Sequence, residues 1–330
     1  MASTVLITGV SRVVGGLAAR VLSANVQIDR VLAVDVVRPA HDIGSAQFVR
    51  ADIRNPIIGK IISQENVDTV VHLGVIATPR QAGGRMTQKD INVIGTMQLL
   101  AACQNAPSLR RLVIKSSSSV YGSSPRDPAM FTEEMTAMGT APRGFGKDSV
   151  EVEAYVRGFG RRRPDVEVVM MRMANVVGPG LRTTFSDLFA LPVIPAPVGF
   201  DGRFQVLHLD DAIGAIGAAT LGENCPGVVN VAGDGVLTLR QAARIARRPT
   251  VPVVAQAAAA VQLLMARTKF GNFDAEQMNL LCFGRGMDTS VMRNSLGFFP
   301  GRSTREAFTE VFGAATPRLP VLLASGSVNA

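Results

Sequence analysis

Val5-Leu6-Ile7-Thr8-Gly9-Val10-Ser11-Arg12-Val13-Val14-Gly15-Gly16 is the stretch whose reading decides the fold. The apolar and β-branched residues up to Thr8 predict a buried strand, Gly9 allows a tight turn, and from Val13 the apolar spacing becomes helical. Strand, turn and helix start in that order aim free backbone N–H groups and the positive end of a helix dipole at one point, where a pyrophosphate can sit. A glycine turn is weak evidence by itself, since it also serves plain packing of helix on strand. Asp35 strengthens it. This carboxylate ends the second predicted strand 26 residues after Gly9, close to the interval of about 20 at which an acidic residue meets an adenosine ribose.

Working outward, strands are predicted at Val5 to Thr8, Arg30 to Asp35, Gln47 to Ala51, Thr69 to Leu73 and Arg111 to Lys115. Helices at Val13 to Ala24, Pro56 to Gln64 and Gln88 to Gln104 lie between them. Continuous apolar runs such as Thr69 to Leu73 indicate strands covered on both faces, as in a parallel sheet built from βαβ units. A further helix, Lys147 to Arg162, leads into a strand from Glu167 to Arg172. Beyond Gly178-Pro179-Gly180, prolines 192, 195 and 197 forbid a long helix. The chain is expected to rejoin the sheet through Val206 to Leu209 and Val228 to Val231, and an Ala-rich helix is expected at Ala255 to Arg267. The fold class is therefore α/β, a Rossmann-type doubly wound parallel sheet with a smaller mixed C-terminal substrate-side subdomain. The nucleotide-binding domain covers 1–177 with returning segments at about 205–235; the subdomain covers 178–204 and 236–315; a mobile tail is expected over 316–330.

With 330 residues and 47% hydrophobic content, the chain can bury a large core. Cys103, Cys225 and Cys282 are far apart and odd in number, which fits neither a disulfide framework nor a zinc site and suggests a reducing, cytoplasmic setting. His41, His72 and His208 show no ligand spacing, so no metal is expected. Arg12 and Arg20 interrupt the first apolar stretch, and neither a signal peptide nor a membrane span is expected. The net charge of +8 suits an anionic partner. Its basic clusters lack interleaved aromatics, which favours an anionic small molecule over nucleic acid.

Six ordered motifs over about residues 1 to 245 resemble the extended short-chain dehydrogenase/reductases of the NAD-dependent epimerase/dehydratase family, which includes the nucleotide-sugar epimerases. The family turn, Thr-Gly-x-x-Gly-x-x-Gly, matches at Thr8, Gly9 and Gly15, with Arg12 at the middle glycine. Other short-chain members place a glycine after a Ser-Arg pair; Ser11-Arg12 matches the pair, and Val13 stands at that glycine. Asp52-Ile53 resembles the adenine-contacting element, His72-Leu73-Gly74 the strand end beside the cofactor, and Asn92 to Thr96 the helix motif that follows. Ser116 to Gly122 resembles the strand carrying the catalytic Ser/Thr, which falls at Ser117. Arg172 to Pro179 places the substrate-facing Asn at Asn175, and Arg203 to Asp211 places a phosphate-contacting Arg and a site-closing His at Arg203 and His208. The resemblance implies NAD held by Gly9, Ser11, Arg12, Val13, Val14, Gly15, Asp35, Asp52, Ile53, Leu73, Gly74 and Asn92. Arg12 could pair with the 2′-phosphate of NADP, but Asp35 would repel it, so NAD is favoured. A homodimer is also implied.

The family's Tyr and Lys, which exchange the substrate proton and hold the ribose, are replaced. Counting from Pro164-Asp165 and Arg172 puts Phe145 at the Tyr and Ser149 at the Lys. A second register, with Lys147 at the Lys, puts Arg143 at the Tyr and needs a two-residue shift. Phenylalanine has no proton to give, and losing a general acid/base costs about 10²- to 10⁴-fold in rate. Ser117, Tyr121 and Lys147 are the candidate substitutes, each with a plainer reading as strand, packing or solvated residue. Three readings stay open: an epimerase, dehydratase or reductase on a nucleotide sugar or similar anion with a rearranged site; a non-catalytic NAD-binding sensor; and a fold reused for non-redox isomerisation.

Overall fold

The computed structural model describes residues 3–78, 82–137, 142–223, 225, 227–254 and 275–313. The expected helix at Ala255 to Arg267 and the expected tail lie outside them. Alternation of apolar strands and helices runs from β1 (Thr4–Thr8) through α1 (Val13–Ser23), β2 (Arg30–Asp35), β3 (Gln47–Arg50), α2 (Ile57–Gln64) and β4 (Thr69–His72). The next helix has three parts, α3 (Arg85–Lys89), a π-helical stretch Asp90–Gly95, and α4 (Thr96–Gln104). β5 (Arg111–Ser117), α5 (Gly144–Arg162) and β6 (Glu167–Met173) follow.

These six strands and β11 (Val228–Val231) form one parallel sheet in the order β11-β6-β5-β4-β1-β2-β3. The chain builds outward from β1 to β3, then crosses back to lay β4 on the other side of β1. That reversal is the switch point at which open α/β sheets form a crevice beyond their strand ends. Both sheet faces are covered. Val5, Ile7, Val71, Val113 and Met171 pack with α1 and α7 (Leu209–Leu221), whereas Leu6, Leu32, Val70, Leu112 and Ile114 pack with α2, α4 and α5. Alternate strand residues thus belong to opposite cores, as a period of two requires.

The second half builds a separate core. In chain order it contains β7 (Asn175–Val177), α6 (Thr184–Ala190), β8 (Ile194–Pro197), β9 (Arg203–Phe204), β10 (Val206–His208), then after β11, β12 (Leu237–Thr238), α8 (Leu239–Ile245) and β13 (Thr250–Val253). The described C-terminal elements are α9 (Ala275–Phe283), β14 (Gly284–Arg285), α10 (Ser290–Asn294) and α11 (Thr304–Phe312). Phe185, Phe189, Phe204, Phe308 and Phe312 interlock here, with ring centroids from 4.6 to 6.2 Å apart. The Pro-rich stretch forms a short helix and β8, which pairs with β13. One expectation is corrected: Val206 to Leu209 does not rejoin the large sheet. β10 pairs with β7 instead, because β11 occupies the free edge of β6.

Candidate functional site

A cleft of about 1130 Å³ opens at the switch point, between the strand ends of the large sheet and the Phe-rich core. Its floor begins at the glycine turn. Gly9 sits at φ +80°, and a Cβ there would lie 2.6 Å from the Gly74 Cα, so the turn is pressed onto the end of β4. A Cβ on Gly15 would lie 2.2 Å from the Gly9 carbonyl oxygen. Gly16, which sequence reasoning passed over, is as constrained: the His41 ring lies where its side chain would be. Arg12 is the N-cap residue of α1 and makes no side-chain cap, so Val13, Val14 and Gly15 line the cleft with the first turn of the helix. Asp35 Oδ2 accepts from the Ser11 amide at 2.9 Å and the Ser11 hydroxyl at 2.7 Å, which fixes the carboxylate beside the turn. Burial pulls the Arg12 guanidinium below its ordinary pKa, and the charge of Asp35 works against that.

The cleft wall after β4 is held by the π-helical stretch. Asn92 is fully buried; its Oδ1 accepts from the Ile76 amide at 2.8 Å and its Nδ2 donates to the Ile76 carbonyl at 2.9 Å. Gln88 donates to the same carbonyl at 3.0 Å. Leu73, Val75 and Ile76 line the cleft here. Gly74 serves by letting Gly9 approach. Asp52 and Ile53 do not line the cleft: Asp52 pairs with Arg54 at 2.6 Å, and Ile53 packs where a side chain on Gly95 would go.

The other expected site residues divide sharply. Ser117 lines the cleft and donates to Ser119 Oγ at 3.2 Å; Asn175 and Phe145 line it too. Ser149 does not. Its hydroxyl donates to the Phe145 carbonyl one helical turn back at 3.0 Å, so it acts within its own helix. Lys147 is exposed, 3.9 Å from Glu151, and stands outside the cleft. Tyr121 is fully buried, stacked on Phe131 at 4.4 Å and donating to Asn230 at 2.7 Å, and does not reach the cleft either. Arg172 holds it from the other side at 2.9 Å, in a buried pair with Glu153 at 2.7 Å. Burial raises the Glu153 carboxyl, but the hydrogen bonds and charge of Arg172 outweigh it and hold the carboxyl below its ordinary range.

Arg203 and His208, expected against substrate, are not among the residues that line the cleft. Arg203 is exposed on β9, and His208 is buried as the N-cap of α7, accepting from the Asp210 amide at 3.1 Å. Both were placed by local motif, whereas the far wall is built by residues distant in sequence. Arg285 enters from β14, donating to the Gly122 carbonyl at 2.7 Å and reaching Ser123 at 3.2 Å. Arg85 spans the mouth, bonded to Asp148 and to the Gly144 carbonyl at 2.7 Å. Glu276 lines the same wall, its carboxylate against Gly146. Lys115, on the floor, was also missed; burial and the nearby Arg12 pull its amine down to about 8. The cysteines are free, and burial pushes the Cys103 thiol up to about 12. Among the described residues no group of three His, Cys, Asp or Glu could hold a metal, and no helix is long and apolar enough to cross a membrane.

Comparison with known proteins bears on this geometry. The model of the NAD dependent epimerase/dehydratase family matches residues 5–194, which include the glycine turn, Asp35 and the strand carrying Ser117. The chain belongs to that family. An uncharacterized protein of Mycobacterium tuberculosis is 46% identical over 312 residues, covering 93% of this chain and 83% of that one. UDP-glucose 4-epimerase 2 of Oryza sativa subsp. japonica is 32% identical over 133 residues, 40% of this chain and 31% of that one. Among solved structures, UDP-glucuronic acid 4-epimerase from Bacillus cereus, in complex with UDP-glucuronic acid and NAD, is similar at TM-score 0.69 and 19% identity, with 94% of this chain and 98% of that chain covered. MoeE5 in complex with UDP-glucuronic acid and NAD is similar at 0.70 and 22%, with 93% and 96% covered. The family fold therefore extends through the C-terminal elements, beyond the residues that the family model matches.

Proposed function

We propose that this chain binds NAD in the cleft and takes an anionic small molecule of the nucleotide-sugar class against the far wall. The observation that carries the reading is the Gly9 turn seated on Gly74 with Asp35 fixed beside it. The uncapped first turn of α1 suits the pyrophosphate, and Asp35 suits the adenosine ribose and disfavours a 2′-phosphate. Bound NAD would supply hydride acceptance. The chain's own residues supply the rest: Ser117 and Asn175 present polar groups to a ligand, Arg285 gives the far wall positive charge, and Phe145 contributes a proton-inert surface where a phenol would exchange a proton. A second reading, a sensor that holds both ligands without turnover, is supported by Phe145 in the cleft and by Ser149 turned into its own helix. A cytoplasmic homodimer is part of this proposal, with the second copy covering the α4–α5 surface around the exposed Tyr155.

The test is melting temperature against NAD, NADP and then uridine diphosphate sugars, since a ligand stabilises according to its occupancy. NAD at a hundred times its dissociation constant is expected to add about 2.7 kcal/mol, and NADP less at equal concentration. No shift with either dinucleotide would sink the reading. If NAD saturates, absorbance of reduced nicotinamide across a sugar-nucleotide panel separates enzyme from sensor.

A further inference from the structure

Lys115 is the one lysine among the described residues lining the cleft. It lies on β5 two residues before Ser117, on the same strand face, while Ser116 between them points the other way and donates to Glu153 at 2.7 Å. Four arginines also line the cleft. Arg85 is bonded to Asp148, Arg182 to Asp187 and Arg285 to the Gly122 carbonyl, and Arg12 lies in the field of Asp35. Lys115 has the Val75 carbonyl at 3.4 Å, and no carboxylate among the described residues pairs with it.

Among the described residues, the charge that bears on this amine is positive. From the β1–α1 turn comes Arg12, and from β4 His72, which burial and Lys115 together pull down to about 4 and so keep neutral at physiological pH. On β6, Met171 shares its face, while Arg172 lies on the opposite face with Glu153. On α7, Asp211 accepts from the amides of Gly301 and Arg302. A half-buried ammonium on the cleft floor, in the field of a guanidinium, is in an unfavourable environment that an anion would relieve.

We propose that Lys115 is a ligand-binding residue of the cleft: with Arg12 it seats the pyrophosphate of the bound dinucleotide, and binding is thereby coupled to protonation of its amine. This rests on the NAD reading above and deepens it, since backbone amides alone would make the turn's affinity independent of pH. The sign follows from the free amine's value of about 8. At pH 7 the amine is already mostly charged and binding is at full strength. An anion raises the pKa further, so affinity falls as pH rises from 8 toward the liganded value.

The experiment is calorimetric titration with NAD from pH 7 to 9.5 on wild type, Lys115→Arg and Lys115→Met, with melting temperatures recorded to confirm folding. Wild type is expected to weaken roughly tenfold across this range and to take up protons on binding near pH 8.5. Lys115→Arg should stay within about threefold of wild type at pH 7 and lose the pH dependence, since a guanidinium stays charged throughout. Lys115→Met should bind about tenfold more weakly at pH 7, also without pH dependence. Wild-type binding that is flat with pH and unchanged by either substitution would overturn the inference and leave the cofactor reading standing. No NAD binding by wild type at any pH would overturn both.

Discussion

The two ends of the cleft were built by different rules. At the glycine turn, Ser11, Arg12, Val13, Val14 and Gly15 line the cleft in one continuous run after Gly9, while Asp35, at the end of the neighbouring strand, is bonded to Ser11 without lining it; backbone geometry brings them together. At the far wall, Arg85, Glu276 and Arg285 come from elements up to 200 residues apart (285 less 85), and the local motif residues Arg203 and His208 are not among them. A site made of backbone is fixed wherever its strand, turn and helix form. A site made of side chains depends on how a whole subdomain docks.

That contrast can be broken most directly at Gly9. Replacement by Ala should nearly abolish NAD binding, because a positive φ costs about 1–3 kcal/mol for a side chain and the new methyl would meet the Gly74 backbone. Titration of a folded Gly9→Ala protein that keeps wild-type affinity would show that the turn is not the seat. Next in size is the double change Phe145→Tyr with Ser149→Lys, which restores a proton donor and an ammonium. A gain of about 10²-fold in reduced-nicotinamide formation on a sugar nucleotide is expected. Unchanged inactivity in a folded, NAD-binding double variant would favour the sensor. The smallest effect sharpens the far wall: Arg203→Ala and Lys147→Ala, each outside the cleft, should change NAD and sugar-nucleotide affinity by less than about twofold, as surface substitutions do. A loss of tenfold or more for Arg203→Ala would restore the motif-based assignment.

Most of the sheet was legible because its signals are local. Apart from the edge strand Gln47–Arg50, the strands from Thr4–Thr8 to Glu167–Met173 have apolar runs set by burial on both faces, and all their ends shifted by no more than two residues. Val206 to Leu209 has the same composition as a strand of the large sheet, yet pairs with Asn175–Val177, since composition reports burial and not partner. The same limit applies in the site. Ser117 and Asn175 were reached through the motifs that resemble the family's, and both line the cleft, whereas Lys115 reads in sequence as one more lysine at the end of an apolar strand. Its isolation from carboxylates and the influence of Arg12 on it exist only once β4 and β5 are laid in order beside β1. Ser149 and Lys147 share a helix and differ in what that helix faces, which no motif count supplies.

The π-helical stretch has a thermodynamic consequence. With Asn92 of that stretch and Gln88 of the preceding α3 already gripping the backbone N–H and C=O of Ile76, this part of the cleft wall is held before anything enters. An incoming molecule then spends none of its association free energy freezing that backbone, so a given set of contacts yields a tighter complex than it would against a loose loop.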